Sequence, residues 1–506
     1  MIYDHYGSAM SYAFSQSGSP GLATTVAQPV NTNFTSTFRY NGSALPNLAS
    51  PASFTFPYTP PTIVGGFTTF TGIQSDLKAP YEYVMNATYA KPLTRGLSLE
   101  LGYIGRIGHR QIVQQDFGQP LENFKDPASG QTLGQAGAAL ANVYNGMISS
   151  GLSASQAAAA VKANPSLVPL QPFIQNVFPG IKNYLIPGSA SANFFYDWYS
   201  GFSGSFTDTV NDMDRTRQSL ANGGCFSIYG CNTFFPLQNS GLPAYTNAGY
   251  SNYNAATVVL RRTVHNGWGF DFNYTFGHAL DNGSSSESSG GAALQDAFNP
   301  RAFYGPSDFD AKHTVTFDYV VELPIGPGKG LWSTMPKSIA YALGGWQISG
   351  LTSFHTGAPL TITDSGVYNT NYDYSSFAIV SPGTKMPANG PTVDQNGIQS
   401  LFSNTSAVND FVASLPGTVG TRGILRGFHY FDTDLAISKY FPIKERYRIQ
   451  LRAEAFNAFN TVNFNSGALN LNIASPTNFG ELSFSSSSNP PALAARVMQF
   501  AARFEF

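Results

Sequence analysis

Apolar and polar residues alternate with a period of two along this chain, in stretches of about ten residues that come mostly in pairs. The pattern is cleanest at the C-terminus, Arg496-Val497-Met498-Gln499-Phe500-Ala501-Ala502-Arg503-Phe504-Glu505-Phe506. Met498, Phe500, Ala502, Phe504 and Phe506 fall on one face of a strand, and Gln499, Ala501, Arg503 and Glu505 on the other. A strand of about 9–11 residues crosses a bilayer when tilted. The last strand of a soluble sandwich would alternate in the same way.

Four further pairs have turn chemistry between their members. Residues 81–90 and 97–107 flank Lys91-Pro92-Leu93-Thr94-Arg95-Gly96, and residues 254–264 and 268–278 flank His265-Asn266-Gly267, an Asn-Gly hairpin cue. In the latter strand Trp268, Phe270, Phe272, Tyr274 and Phe276 oppose Asp271, Asn273 and Thr275. Residues 313–323 and 343–355 are joined by a Gly/Pro-containing stretch, with Val315, Phe317, Tyr319 and Val321 alternating against Thr316, Asp318 and Glu322. Residues 430–440 and 446–456 flank Phe441-Pro442-Ile443-Lys444; Tyr447, Ile449, Leu451, Ala453 and Ala455 there oppose Arg448, Gln450, Arg452 and Glu454.

Between the pairs lie long connections rich in Ser, Asn and Gly: residues 108–253, 279–312, 356–429 and 457–495. Short turns therefore alternate with long loops. Transmembrane barrels keep that rhythm because periplasmic turns are short and outer loops long, whereas a soluble sandwich has no reason to. The expected fold is all-β: an antiparallel transmembrane β-barrel, partial, with roughly ten strands and long outer loops. Residues 108–253 would form an extracellular subdomain with short helices at 135–149 and 153–163, the second capped by Ser153 or Ser155 and ended by Asn164-Pro165.

Composition sharpens this picture. Charged residues make up 11% of the chain, against roughly 25% in soluble domains. Aromatics reach 14%, with 40 Phe and 27 Tyr, and no run approaches an apolar membrane helix. Hydrophobicity spread over alternate residues belongs to a barrel. The net charge of −2 gives no electrostatic claim on nucleic acid. Cys225 and Cys231, framed by glycines, read as a loop disulfide that stabilises by roughly 2–2.5 kcal/mol in the chain-entropy account, with free thiols as the alternative. Met1-Ile2-Tyr3-Asp4-His5-Tyr6-Gly7 has neither a basic start nor an apolar stretch, so it is no signal peptide. The expectation is that the chain lacks its true beginning.

An ordered series of segments resembles the Oar-like β-barrel region of TonB-dependent outer-membrane receptors of acidobacterial type. It runs from Ala79-Pro80-Tyr81 to Gly105-Arg106-Ile107-Gly108-His109, then through Asn273-Tyr274-Thr275-Phe276-Gly277-His278-Ala279-Leu280-Asp281. Asp296-Ala297-Phe298-Asn299-Pro300-Arg301, Ser307-Asp308-Phe309-Asp310-Ala311-Lys312-His313 and Gly344-Gly345-Trp346-Gln347-Ile348-Ser349-Gly350 follow. Arg426-Gly427 and Leu451-Arg452-Ala453-Glu454-Ala455-Phe456-Asn457-Ala458-Phe459-Asn460 complete it. The resemblance implies a longer parent with a signal peptide, a regulatory domain, a plug that contacts the TonB complex, and a barrel of about 22 strands, of which residues 1–506 hold the C-terminal part. The aromatic end, Phe500, Phe504 and Phe506, resembles the signal that outer-membrane barrels present to their assembly machinery.

Candidate chemistry is sparse. Asp308, Asp310 and His313 offer two carboxylates and an imidazole at a loop-to-strand junction; rim-capping hydrogen bonds account for them more simply than a metal site, and the spacing fails the EF-hand pattern. Asp271, Asp318, Asp432, Asp434, Arg448, Arg452 and Glu454 alternate onto the inward face; for the last five, cross-strand ion pairs explain them and a conducting role would use the same residues. Gly326-Pro327-Gly328-Lys329-Gly330 lacks the phosphate-loop spacing and reads as a turn. Phe194-Phe195-Tyr196-Asp197-Trp198-Tyr199 could stack on a ligand or form the loop's own core. No catalytic motif occurs, so neither enzyme activity, a cofactor nor a metal is expected. The reading is an outer-membrane receptor or transporter barrel for an unidentified ligand, with outer-membrane lipid, the assembly machinery and, through a plug, the TonB complex as partners. The alternative is a surface-exposed β-rich adhesion or ligand-binding protein without transport.

Overall fold

The computed structural model describes residues 2–3, 72–94, 96–201, 205–214, 224–235, 243–284, 293–326, 329–332, 334, 336–364, 376–443, 447–483 and 495–506. Ten strands form one antiparallel meander: β1 (Ile2–Tyr3), β2 (Tyr81–Pro92), β3 (Leu97–Asp116), β4 (Pro243–His265), β5 (Trp268–Asp281), β6 (His313–Glu322), β7 (Trp346–His355), β8 (Tyr430–Ile443), β9 (Tyr447–Phe456) and β10 (Val497–Glu505). Each pairs with its sequence neighbours. Among the described residues the sheet does not close, because β10 is hydrogen-bonded only to β9.

The alternation in sequence becomes a continuous two-faced wall because the register keeps parity from strand to strand. Phe270 lies opposite Tyr319 and Phe272 opposite Phe317, while Asp271 lies opposite Asp318. The same parity places Ile348, Leu435, Ala453 and Phe500 on the aromatic face and Ser349, Asp434, Arg452 and Gln499 on the polar one. Rings interlock along the aromatic face: Phe317 lies 6.0 Å from Phe270 and 6.3 Å from Phe272. The Asn-Gly turn forms as its chemistry predicts, with Asn266 at φ +53° and Gly267 at φ +83°, the left-handed pair that matches strand twist.

Two boundaries differ from the sequence expectation. β3 and β4 run well past their alternating segments, so the first long connection spans residues 117–242 rather than 108–253. The signal breaks at a bulge: Arg110 adopts φ +55°, and the β3–β4 register shifts between His109 and Gln111 and again before Val113. The connection between β6 and β7, read as a turn-like stretch, also holds a short helix, Lys337–Leu343.

The long connections fold on themselves at the other end of the strands. The first carries helices α1 (Leu133–Ser149), α2 (Ala154–Ala163), α3 (Pro172–Val177), α4 (Ala190–Tyr199) and α5 (Phe206–Asp214). Thr132 and Gln135 form a reciprocal cap at the start of α1, and Ser153 and Gln156 do so for α2. Phe173, Phe178, Phe194, Phe195, Trp198, Phe206 and Phe234 fill their common core. The aromatic run at 194–199 is thus largely interior. Cys225 and Cys231 are joined by a disulfide with Cα atoms 5.2 Å apart. The β7–β8 and β9–β10 connections, read from sequence as loops, share a second core around Ile362, Phe402, Phe411, Phe428, Phe479 and Leu482. Their short strands, such as Ser376–Val380 against Phe411–Ala413, are too brief to alternate visibly.

A lipid-facing aromatic wall has a direct consequence. Phe272→Arg should cost about 2–4 kcal/mol near mid-membrane and reduce the heat-modifiable folded form in outer-membrane preparations. Asn273→Arg, one residue away on the polar face, should leave that form at its wild-type level.

Candidate functional site

The candidate site is the polar face together with the rim where the outer connections meet it. On that face Arg261 of β4 donates to Asp271 of β5 at 2.5 Å, and Asn273 donates to the other carboxylate oxygen at 3.0 Å. Asp318 of β6 lies at the same register position as Asp271, so two carboxylates lie side by side on the polar face with one arginine opposite on β4. Arg106 and Glu82 pair at 3.8 Å across β2 and β3.

At the far side of the sheet the structure corrects the expected pairing. Arg448 does cross strands, pairing with Glu505 of β10. Arg452 instead pairs with Glu454 on its own strand at 2.5 Å, because its cross-strand neighbours are Ser438 and Ala501. Asp432 and Asp434 meet none of these arginines. Asp434 accepts from the backbone N–H of Asn457 at 2.9 Å, and Asp432 accepts from the Tyr430 hydroxyl at 3.2 Å while its other oxygen is buried with no partner among the described residues. Phe500, Phe504 and Phe506 are 74%, 55% and 86% exposed along the open edge of β10.

The rim carries the densest charge chemistry. Arg422, nearly enclosed, donates to the Asp281 carboxylate at 2.8 Å, to the Ser284 hydroxyl at 2.6 Å and to Asp308 at 3.1 Å. Its guanidinium lies over the Phe303 ring at 5.2 Å. Arg426 donates to the Asp310 carboxylate and to its backbone carbonyl, and His278 approaches the same carboxylate at 3.3 Å. Burial alone would raise the Asp310 carboxyl, but the Ala279 N–H and Arg426 more than offset it and hold it below the usual aspartate range. Asp308 and Asp310 therefore hold arginines, and His313 shares a hydrogen bond with the Tyr274 hydroxyl at 2.9 Å instead of joining them. Arg422 was not singled out from sequence. Its signal was an arginine between Thr421 and Gly423 in a loop of a chain with few charges.

Three connections converge just above. Gln115 and Gln119 bind Ala297 and Asp296 of the β5–β6 connection, while α1 packs Gly134 and Gly137 against Pro416 and Gly417 of the β7–β8 connection. Glu122 is buried at this junction, with one carboxyl oxygen unpartnered among the described residues. Burial lifts its carboxyl well above the usual range, nearby Asp296 adds to the rise, and the Gly417 N–H only partly offsets them. Beside the junction a cavity of about 430 Å³ opens between β2, β3 and β4. Tyr81, His109, Arg110, Tyr250 and Tyr304 line it, offering stacking faces and a guanidinium that lies 5.3 Å over the Tyr81 ring.

A family model described as "Outer membrane beta barrel domain" matches residues 1–499. No curated protein matches the chain in sequence. Among solved structures the chain is similar to the outer membrane transporter YddB from Escherichia coli, at 7% identity and a TM-score of 0.35, over 87% of this chain and 34% of that one. It is also similar to the FrpB iron transporter from Neisseria meningitidis (F3-3 variant), at 7% identity and a TM-score of 0.30, over 86% of this chain and 33% of that one. The chain thus spans about a third of the length of these two structures.

Two outcomes test the rim. Arg422→Ala strands the buried Asp281 carboxylate and should cost about 3–5 kcal/mol locally, read as faster hydrogen exchange in residues 279–284 and 300–312. Glu122 titrates in the opposite sense from Asp310. Its raised value means that the junction is favoured below the ordinary glutamate value of 4.5 and loses that stability as pH rises toward Glu122's own elevated value. Glu122→Gln should remove this decline from a pH series of thermal unfolding.

Proposed function

Because the chain belongs to the outer membrane β-barrel domain family and resides in the outer membrane, we propose that it forms part of a receptor and transport barrel of the TonB-dependent, Oar-like kind. The observation that carries this reading is the two-faced wall: outside the bulge in β3–β4 and the irregularity at the β4–β5 turn, parity holds from β2 to β10, so the charge-bearing positions of successive strands share one face beneath the outer cap. Lipid takes the aromatic face and the polar face lines the interior. Asp271, Asp318, Arg452 and Glu454 then present charge along a route from rim to periplasm, and the rim cavity with Arg110 and its aromatic neighbours offers a first contact for a ligand.

In this reading the backbone groups left open at the β10 edge pair with further strands, since none can stay unsatisfied in hydrocarbon. The assembly machinery engages the β10 end through Phe500, Phe504 and Phe506. The TonB complex acts through a plug that these strands surround. No chemical step is assigned to the chain; the ligand is bound and moved, not converted.

Gene deletion tests the reading against adhesion. Cells with and without the gene would be compared for accumulation of radiolabelled ferric chelates, oligosaccharides and peptides, each with and without a protonophore. A receptor of this kind predicts loss of uptake of at least one class in the deletion strain, and the same loss in wild-type cells once the protonophore is added. Unchanged uptake together with reduced surface attachment would favour the adhesion protein and overturn the proposal.

A further inference from the structure

The connection between β6 and β7 is long for the short-turn end, and its outward chemistry is apolar. Leu331, Trp332, Ile339, Tyr341 and Leu343 are 55%, 61%, 46%, 51% and 43% exposed. In water this would be a costly display. The connection does not hang free of the wall. Its helix, α6 (Lys337–Leu343), ends against the aromatic face: Lys439 of β8 donates to the carbonyls of Ala342 and Gly344, and the Tyr341 ring lies 5.3 Å from Phe441. Lys439 shares register with Trp346 and sits on the aromatic face, 5.3 Å and 5.1 Å from the Trp346 and Phe441 rings.

Three cations mark the level of this contact. A lysine or arginine on the lipid face costs about 2–4 kcal/mol at mid-membrane but about 0–1 near the interface. Lys91, Arg262 and Lys439 all stand on the aromatic face toward the short-turn end; Arg262 lies 3.7 Å over the Trp268 ring, and Lys439 is buried beside Trp346 under the end of α6. Tryptophan and tyrosine belong at the same depth. The exposed residues of the connection therefore adjoin the membrane surface and continue the lipid-facing wall.

We propose that α6 and the Leu331-Trp332 segment form an interfacial anchor, seated in the headgroup region of the periplasmic leaflet. Their occupant is phospholipid. An amphipathic segment in this position sinks roughly 5–10 Å into the headgroup–acyl boundary, and the Lys439 bonds keep α6 from swinging into the periplasm. The anchor would set the barrel's height in the membrane on this side, opposite the cap.

Single-cysteine variants Trp332→Cys and Tyr341→Cys, labelled with an environment-sensitive fluorophore in native outer-membrane vesicles, test this. The bridged Cys225 and Cys231 stay unlabelled there. Phe272→Cys serves as a mid-membrane reference and Asn266→Cys as an aqueous one. Vesicles would be enriched with phosphatidylcholine brominated either near the headgroup or deep in the chain. The expected result is several-fold stronger quenching at positions 332 and 341 by the shallow lipid than at 266, and the reverse depth preference at 272. Water-like labels at 332 and 341, with 272 quenched by the deep lipid, would overturn the anchor and leave the barrel intact. Labels shielded from both aqueous iodide and bromolipid would overturn it in favour of a protein partner. A water-like label at 272 would overturn anchor and barrel together.

Discussion

A backbone amide in hydrocarbon has no water to turn to, so each strand here must pass its hydrogen bonds to a neighbour along its whole length in the membrane. That constraint explains the meander, the length of the strands and the persistence of parity across them. A slip of one residue between two strands would bring the aromatic-face residues of one into line with the polar-face residues of the other. Rings help to hold the register. Tyr319 lies over Gly350, its direct partner on β7, where an added Cβ would meet the ring at 2.7–2.8 Å. A glycine covered by a cross-strand tyrosine loses less to solvent than an isolated one, and it fixes which residues are opposite.

The scarcity of charge follows from the same constraint, and it concentrates meaning in the few charges present. On the wall they stay on one face, except for Lys91, Arg262 and Lys439 near the strand ends, the latter two beside tryptophans. At the rim they are matched, two arginines against Asp281, Asp308 and Asp310, and Arg422, Asp281 and Asp310 are largely enclosed. Charges taken from water in this way contribute little net stability, but removing one partner is expensive. The rim arginines therefore specify which loops meet more than they strengthen the fold.

The wall was legible in the sequence because its physics is local: a period of two, a turn cue such as Asn266-Gly267, and the contrast of short and long connections. The helix start at Ser153 was legible for the same reason, since a cap is a matter of three or four residues, whereas the cap at Thr132 lies just before the helix read at 135–149. What escaped was everything that depends on distant partners. Arg422 meets Asp281 across 141 positions. Phe402 stacks on Phe479 to make a core shared by two connections, each of which alone reads as polar loop. The charged residues of β8 and β9 share one face by register, yet their pairing depended on that register, which alternation does not supply.

Strand length determines how the cap is carried. β3 has 20 residues and β4 has 23, about 65–80 Å of path at ~3.4 Å per residue. An apolar band of about 25 Å crossed at a tilt of about 40° uses roughly ten residues. About half of each strand thus stands clear of the membrane. The bulge at Arg110 falls near that exit, and beyond it the positions in line with the aromatic face are covered by protein: Val113 packs on Leu294 and Phe303. The ladder recovers its register there because Gly249 faces Gln111 so closely that an added Cβ would lie 2.4 Å from its carbonyl oxygen. The cap consequently rests on a hydrogen-bonded pair of strands and not on loose loop stems. Thr246 and Ala297 hold Gln115 to both sides, so the junction at Glu122 moves with the upper ladder. Between the cap and the membrane-spanning half, the β3–β4 ladder breaks its register only at this bulge.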